Sequence, residues 1–278
     1  MKIGAYQFQI TGDIASNFQE IKRAVLRASR ENIRILAFPE CSLTGYPPHD
    51  IASSSLCDFE QAALCCDELD KLAKKHEMYI VMGAVMREND NYYNSAIVFT
   101  PTQERYVYQK RALWGWDRDN FHPGNQTGVF EADGIKIGIR ICFEIRFPEY
   151  FRELYREGTD LNIVMFYDIS DNDDIARYDL IKAHIRTRAV ENVCYTLSVN
   201  AAGPYQTAPT AIYDRSGNTL VELKRNTPGL LVYDLVLPEL DFGECGRKEI
   251  SDIFQKGGGN YEQKSQNDSG QGISDRAH

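Results

Sequence analysis

Several hallmarks of membrane, secreted and nucleic-acid-binding proteins are missing from this chain. No run approaches the roughly 18 consecutive apolar residues of a membrane span, so membrane insertion is not expected. Met1-Lys2-Ile3-Gly4-Ala5-Tyr6 shows no charged-then-apolar leader with a small-residue cleavage site. Secretion is therefore not expected either, and the cytoplasm is the expected location. Positive charge is in deficit: 31 Lys and Arg stand against 40 Asp and Glu, for a formal net charge of −9 and a pI near 5.2. Phosphate contacts need clustered cations, so non-specific nucleic-acid binding is not expected. The five histidines do not cluster. The adjacent Cys65-Cys66 would point about 100° apart on a helix and lack ligand spacing, so no metal site is expected. The seven cysteines, an odd number, fit reduced thiols rather than a disulfide framework. Most are expected to be small buried hydrophobes.

What is present is an ordinary globular composition. The 278 residues are 43% hydrophobic and 26% charged, enough for one sizeable core or two fused halves sharing one. Short apolar runs at Ile3–Ile10, Ile33–Phe38, Tyr79–Met86, Tyr93–Thr100, Ile135–Ile141, Leu161–Phe166, Val193–Val199 and Leu230–Leu235 read as strands. Helical spacing follows Ser16-Asn17-Phe18-Gln19, which has capping-box spacing, and recurs over Asp58–His76, Pro148–Arg156 and Asp174–Glu191. Thr210–Leu223 reads as a hairpin. The connector Pro101–Asp133 carries one further strand, Arg105–Tyr108. The two halves share an element order that predicts an α/β layered fold with mixed sheets. Residues 1–253 are expected to form the domain. Residues 254–278 form a polar tail, expected to be disordered because it has too little apolar surface to offset its ordering entropy.

Three ionisable residues stand at the ends of apolar strands: Glu40 after Ala37-Phe38-Pro39, Lys110 after Tyr108-Gln109, and Cys142 after Arg140-Ile141. Sites in α/β sheets are usually built at strand ends. A charge directly after a buried strand is costly unless paired or used. Together the three make coherent chemistry. A thiol becomes a nucleophile when a carboxylate takes its proton. An ammonium stabilises the thiolate and then the oxyanion, to which the Phe143 backbone N–H adds a second donor.

The flanks of these residues resemble the nitrilase superfamily of carbon–nitrogen hydrolases. Cys142-Phe143-Glu144-Ile145-Arg146-Phe147-Pro148-Glu149 is similar to its nucleophile motif, Phe38-Pro39-Glu40 through Thr44-Gly45-Tyr46 to its base motif, and Lys110 with Leu113-Trp114 to its lysine motif. Arg188-Ala189-Val190-Glu191-Asn192, Val199-Asn200 and Gly246-Arg247 add to the likeness, which spans roughly residues 1 to 253. The resemblance implies a four-layer αββα sandwich, a Glu40–Lys110–Cys142 triad, no cofactor, and homodimers or larger homo-oligomers. The family's second glutamate is absent from the loop before Pro123-Gly124. Asp117 or Asp119, each a methylene shorter, takes its place, and Asp117 is the candidate for the site. Nitrile-cleaving members typically carry Trp after the nucleophile, where Phe143 stands here, so a small amide or N-carbamoyl compound is the expected substrate.

Around this trio, Arg146 is a candidate for a substrate carboxylate or for a structural one such as Glu144. His122 is a candidate substrate contact. The acidic run Asp168, Asp171, Asp173, Asp174 suits either a helix N-terminus or a cationic substrate. Acyl transfer to an amine, and a non-catalytic interaction protein on the same fold, are the competing functions.

Overall fold

The computed structural model describes residues 1–255. Met1–Glu239 forms one compact unit, and the chain from Leu240 forms another. The first unit contains β1 (Lys2–Gln7), α1 (Ile14–Arg30), β2 (Ile35–Ala37), α2 (Phe59–Lys75), β3 (Tyr79–Glu88), β4 (Asn91–Phe99), β5 (Arg105–Gln109), α3 (Trp116–Asn120), β6 (Val129–Ala132), β7 (Ile135–Ile141), α4 (Pro148–Glu157), β8 (Leu161–Phe166), α5 (Ile175–Glu191), β9 (Tyr195–Asn200), β10 (Ala211–Tyr213), β11 (Thr219–Glu222) and β12 (Gly229–Asp234).

The strands form two six-stranded sheets, ordered β12-β1-β2-β3-β4-β5 and β11-β10-β9-β8-β7-β6. In each, three parallel strands are flanked by antiparallel ones: β1-β2-β3 in the first sheet and β7-β8-β9 in the second. The mixed pairing follows from short turns inside each half and helical crossovers between the parallel strands.

Alternating side chains sort the sheets into four layers. Ile3, Ala5, Ile35, Ala37, Val81 and Val98 from the first sheet meet Ile137, Ile139, Ile141, Ile163, Met165 and Leu197 from the second in one buried cluster. The opposite face of the first sheet (Leu36, Phe38, Ile80, Met82) packs against Ile21, Val25, Leu69 and Leu72 of α1 and α2. Val164, Phe166 and Tyr213 pack against Phe151 and Leu154 of α4 and Ile181 and Ile185 of α5. Each such side chain removed from water contributes about 1.5–3 kcal/mol. The expected αββα sandwich is the observed fold.

Local chemistry moved some boundaries. α1 begins two residues before Ser16, because the Asp13 carboxylate caps it by accepting from Ala15 N at 2.9 Å. Ser16–Gln19 therefore lies inside the helix, and Asn17 turns inward to bond Thr11 and Leu43. β6 and α3 fall in the connector where only one strand was expected. β6 and β7 meet at Asp133-Gly134, both at positive φ (50° and 82°). An Asp-Gly pair is the turn that a tight hairpin favours, so this signal was available.

The second unit contributes α6 (Phe242–Gln255), started by Asp241, whose Oδ1 accepts from Glu244 N at 2.7 Å. No helix was expected there, and it extends past residue 253. Of the expected disordered tail, residues 256–278 lie outside the described residues. Among the described residues no helix is long and apolar enough to cross a membrane.

Candidate active site

Three strand ends supply the site. Lys110 and Cys142 line a cavity of about 190 Å³, together with Tyr46, Asp117, Phe143 and Tyr167. Glu40 joins them from the buried side: its Oε1 accepts from Lys110 Nζ at 2.8 Å and from Asn94 Nδ2 at 2.7 Å, and its Oε2 accepts from Tyr167 N at 2.8 Å. Both Glu40 and Lys110 are 1% exposed. A buried charge pair is tolerable only when further polar contacts offset its desolvation; Asn94 and Tyr167 N supply them to Glu40, and Asp117 gives the Lys110 ammonium a second anion.

The second acid is Asp117. Its Oδ2 lies 2.8 Å from Lys110 Nζ, and its Oδ1 accepts from Tyr46 OH at 2.9 Å. The one-turn helix α3, entered through Gly115 at φ 55°, carries Asp117 inward while Asp119 stays exposed. The choice left open by the spacing thus falls on Asp117, whose shorter side chain reaches the ammonium.

These contacts set the charges. Burial pushes the Glu40 carboxyl up; Lys110 opposes this and the Asp117 charge reinforces it, leaving Glu40 above its ordinary range. Burial alone would lower Lys110, but Glu40 and Asp117 outweigh it and hold the ammonium well above its usual value. The Cys142 thiol is pushed well up by burial and by the Glu40 charge, against Lys110. Cys142 therefore rests as a thiol, beside a carboxylate of raised proton affinity and a permanent cation.

Cys142 sits at φ 47° where β7 turns into a 3₁₀ turn, Cys142–Arg146. A left-handed backbone costs a non-glycine residue about 1–2 kcal/mol, so the turn has to be braced. Glu144 does this: its Oε2 accepts from Ile141 N at 2.7 Å, and its Oε1 accepts from Tyr108 OH at 2.6 Å and Arg111 N at 2.8 Å. One buried carboxylate thereby ties the cysteine turn to the strand that carries Lys110. Arg188 of α5 adds a bond from Nε to Ile145 O at 3.1 Å.

Two close approaches place the other strand ends. A Cβ on Gly83 of β3 would lie 2.4 Å from both Pro39 O and Cys41 N, so only glycine lets β3 underlie the Glu40 loop. A Cβ on Gly124 would lie 2.4 Å from Gln109 O, and Gly124 N donates to Lys110 O at 3.0 Å.

The other candidates lie elsewhere. Arg146 is half-buried, makes no hydrogen bond or ion pair to a described residue, and does not line the cavity. Four residues along a 3₁₀ turn it is rotated about a third of a turn from Cys142. Its charge adds to burial in lowering His184. The Glu144 carboxylate it was offered is already taken. His122 is exposed beyond the buried Phe121, with its N–H on Tyr92 O and its ring 6.2 Å from Tyr93. In the acidic run, Asp174 caps α5, Asp173 pairs with Arg225, and Asp168 is buried on Arg177. The six cysteines other than Cys142 are free thiols, buried except for exposed Cys245. Asn94, Gly83 and Arg177 were not anticipated as parts of the site, and Asp168, which lines the cavity, was weighed only with its acidic run.

The family model for carbon-nitrogen hydrolases matches residues 2–242. The 2-oxoglutaramate amidase of Bacillus subtilis is 31% identical over 208 residues, 72% of this chain and 76% of that protein. An (R)-stereoselective amidase of a Pseudomonas species is 26% identical over 69% of this chain and 67% of its own length. Among solved structures, the NitN amidase of Nesterenkonia sp. AN1 aligns with a TM-score of 0.76 at 26% identity, covering 91% of this chain and 99% of that one. A variant of that Nesterenkonia amidase, 25% identical with a TM-score of 0.76 and covering 91% of this chain and 99% of that one, shows acrylamide added at its active-site cysteine. With a matching model over most of its length and these relatives, the chain belongs to the carbon-nitrogen hydrolase family, as an amidase-like enzyme of the nitrilase superfamily.

Proposed function

We propose that the protein hydrolyses the carbon–nitrogen bond of a small amide through a thioester on Cys142. The observation that carries this reading is the buried Glu40–Lys110–Asp117 cluster, with its 2.8 Å contacts, set against a cysteine that lines the same small cavity. A volume near 190 Å³ is below that of drug-sized sites, about 300–1,000 Å³, and suits a substrate of a few carbons.

Glu40 is the general base. As the Cys142 sulfur attacks the amide carbon, its proton passes to Glu40, so a thiolate never accumulates free. The Lys110 ammonium and the Phe143 N–H stabilise the oxyanion. Protonated Glu40 then gives its proton to the leaving nitrogen, the C–N bond breaks and ammonia departs. Water, deprotonated by Glu40, attacks the thioester carbon and releases the acid and the thiol. The raised proton affinity of Glu40 suits a group that takes and returns a proton twice. Asp117 holds Lys110 in place, and no cofactor enters the cycle. Assembly into homodimers or larger homo-oligomers and a cytoplasmic location belong to the same reading and rest on the family likeness and on the sequence. Light scattering tests the first.

Ammonia release from a panel of short amides, ω-amides and N-carbamoyl amines tests the function. Turnover is expected with at least one class. Cys142→Ala should abolish it, and Glu40→Gln should reduce kcat by about 10³-fold or more, in line with loss of a general base. Full activity in either variant contradicts the mechanism.

A further inference from the structure

Two cavities meet at one wall. The catalytic cavity and a second one of about 210 Å³ share His49, Tyr167 and Ile169. The second is otherwise lined from residues 9–10, 170–171 and 201–204, which follow β1, β8 and β9, and from Asp50. β1 runs parallel to β2, and β8 and β9 run parallel to β7, so the second cavity lies at the same strand ends that carry Glu40 and Cys142. Those ends are where α/β sheets place ligands.

The shared wall is fixed. Tyr167 N donates to Glu40 Oε2 at 2.8 Å, Tyr167 OH donates to Asp50 Oδ1 at 3.0 Å, and the Tyr167 ring stacks on Tyr46 with centroids 5.0 Å apart. Asp50 Oδ2 in turn accepts from Tyr46 N at 2.9 Å. The remaining walls are tied by Ser170 N on Tyr205 O at 2.9 Å and Ala202 N on Phe8 O at 2.8 Å. The second cavity is thus formed before a ligand arrives, as small-molecule sites usually are.

The oxygen and nitrogen of an amide leave the reacting carbon in different directions. The oxygen belongs at Lys110 and the Phe143 N–H, and these two residues line the catalytic cavity but not the second. The nitrogen has to reach the proton on Glu40, whose Oε1 is held by Lys110 and Asn94 and whose Oε2 is held by Tyr167 N, in the shared wall. A group carried on the nitrogen is therefore directed at that wall, and the second cavity adjoins it. The two cavities also differ in charge. Lys110 and Arg177 line the first, whereas no lysine or arginine is among the described residues lining the second, which include Asp50 and Asp171. An anionic group is disfavoured there. Gln9 and Asp171 line the second cavity and make no hydrogen bond or ion pair to a described residue.

We propose that the second cavity is an amine-side subsite, and that the preferred substrates are N-substituted amides whose nitrogen carries a short chain ending in a hydroxyl or an ammonium. Protonated Glu40 gives its proton to this nitrogen, the C–N bond breaks with its electron pair on nitrogen, and the amine departs in place of ammonia. Water then frees the acid as before. This deepens the amidase reading and rests on it for turnover, though not for binding.

The test compares N-(2-hydroxyethyl)propionamide and N-(2-aminoethyl)propionamide with N-propylpropionamide and propionamide, by release of propionate. Wild-type kcat/KM is expected to be about 10-fold or more higher for at least one polar amide than for propionamide, the scale on which a pocket discriminates by a few atoms. That amide should also exceed N-propylpropionamide. Gln9→Trp and, from a different strand end, Ser170→Phe put a large ring in the second cavity. In each, the ratio of the polar amide to propionamide should fall about 10-fold. If Gln9→Trp melts early, Ser170→Phe gives the same comparison. A wild-type ratio near or below one overturns the proposal, as does a loss shared equally by substituted and unsubstituted amides. A loss confined to 5-hydroxypentanamide, a primary amide extended on its acyl side, overturns it too, because the cavity then serves the acyl chain. Preference for N-propylpropionamide over both polar amides overturns the assignment of a donor-bearing amine.

Calorimetric binding of the two polar amides to Cys142→Ala, with and without Gln9→Trp, separates this subsite from the amidase reading. Binding of either that Gln9→Trp weakens about 10-fold, without wild-type turnover of any amide, keeps the subsite and removes the cycle. Binding of both that is indifferent to Gln9→Trp removes the subsite whether or not turnover occurs.

Discussion

The cavity has two differently built sides. On one, Glu40, Asn94 and Lys110 from the first sheet and its strand ends join Asp117 of α3 and Tyr46 in a buried cluster with contacts of 2.7–2.9 Å. On the other side, Trp114 (64% exposed), Trp116 (55%), His49 and Arg177 line the same space as exposed residues. The contrast reflects two demands. Proton transfer needs fixed distances, and a satisfied low-dielectric cluster supplies them because any movement leaves a charge unpaired. Recognition needs free donors and surface that a substrate can cover. Cys142 stands where the two sides meet, half-buried and braced by Glu144.

If rigidity is what the buried side provides, loosening it from outside the cluster should be severe. Gly83 touches neither Lys110 nor Cys142, yet its backbone binds the loop after Glu40: Leu43 N donates to Gly83 O at 2.9 Å, and Gly83 N donates to Ser42 Oγ at 3.2 Å. Gly83→Ala places a methyl 2.4 Å from Pro39 O and Cys41 N. Overpacking of this kind costs about 1–3 kcal/mol, and a misplacement of about 1 Å costs about 100-fold in rate. The expected outcome is a folded protein with a lowered Tm and kcat down about 100-fold, with KM little changed. A variant with native kcat and a lowered Tm would mean that Glu40 tolerates displacement, and the contrast would lose its basis.

The electrostatic version of the same comparison is subtler. The Asp117 charge is one reason the Glu40 carboxyl lies above its ordinary range, after burial. Asp117→Asn removes that charge while an amide oxygen can still accept from Tyr46 OH. A carboxyl relieved of a neighbouring negative charge ionises more easily, so its proton affinity falls. Because the base must be ionised to act, the acid limb of kcat/KM against pH should move to lower pH, with a loss of about 10-fold at the plateau from poorer Lys110 placement. The profile is read from pH 4 to 9. A limb that stays put or moves to higher pH removes Asp117 from the electrostatics of the base.

The same division governs what could be read from the amino acids. Apolar runs end visibly at Glu40, Lys110 and Cys142, and a charged or thiol residue at the end of a buried strand stands out against its neighbours. An α/β fold with mixed sheets was legible for the same reason, since alternation and helical spacing are local patterns; the four-layer αββα order came only from the family likeness. Asn94 lies within β4, and its importance depends on Lys110 N bonding Asn94 O across the ladder at 2.8 Å, a register no single segment announces. Gly83 is an unremarked glycine until the Glu40 loop is laid over it. Arg177 and Asp168 are nine residues apart across a loop, and Asp168 was grouped with its acidic neighbours by composition although Asn200 and Thr207, both remote in sequence, fix its role. Arg146 and His122 were advanced for their distance along the chain from motif residues, and a rotated 3₁₀ turn and an outward loop carried both away from the cavity.

The open side should respond least, and differently. Trp114 lines the cavity but among the described residues is stacked only by Arg118, whose guanidinium carbon lies 4.8 Å from the ring centroid. It touches no member of the buried cluster through a hydrogen bond or ion pair to a described residue. Trp114→Ala removes apolar surface that a bound substrate would cover equally in the ground and transition states, which is uniform binding. The expected change is a rise in KM of about three- to tenfold, at most about 1.4 kcal/mol, with kcat within about twofold of wild type and Tm unchanged. Steady-state kinetics on the best amide of the panel measures both. A loss in kcat as large as that of Gly83→Ala would show that the exposed wall also positions the reacting atoms, and the cavity would then have one rigid shell rather than two sides with separate tasks.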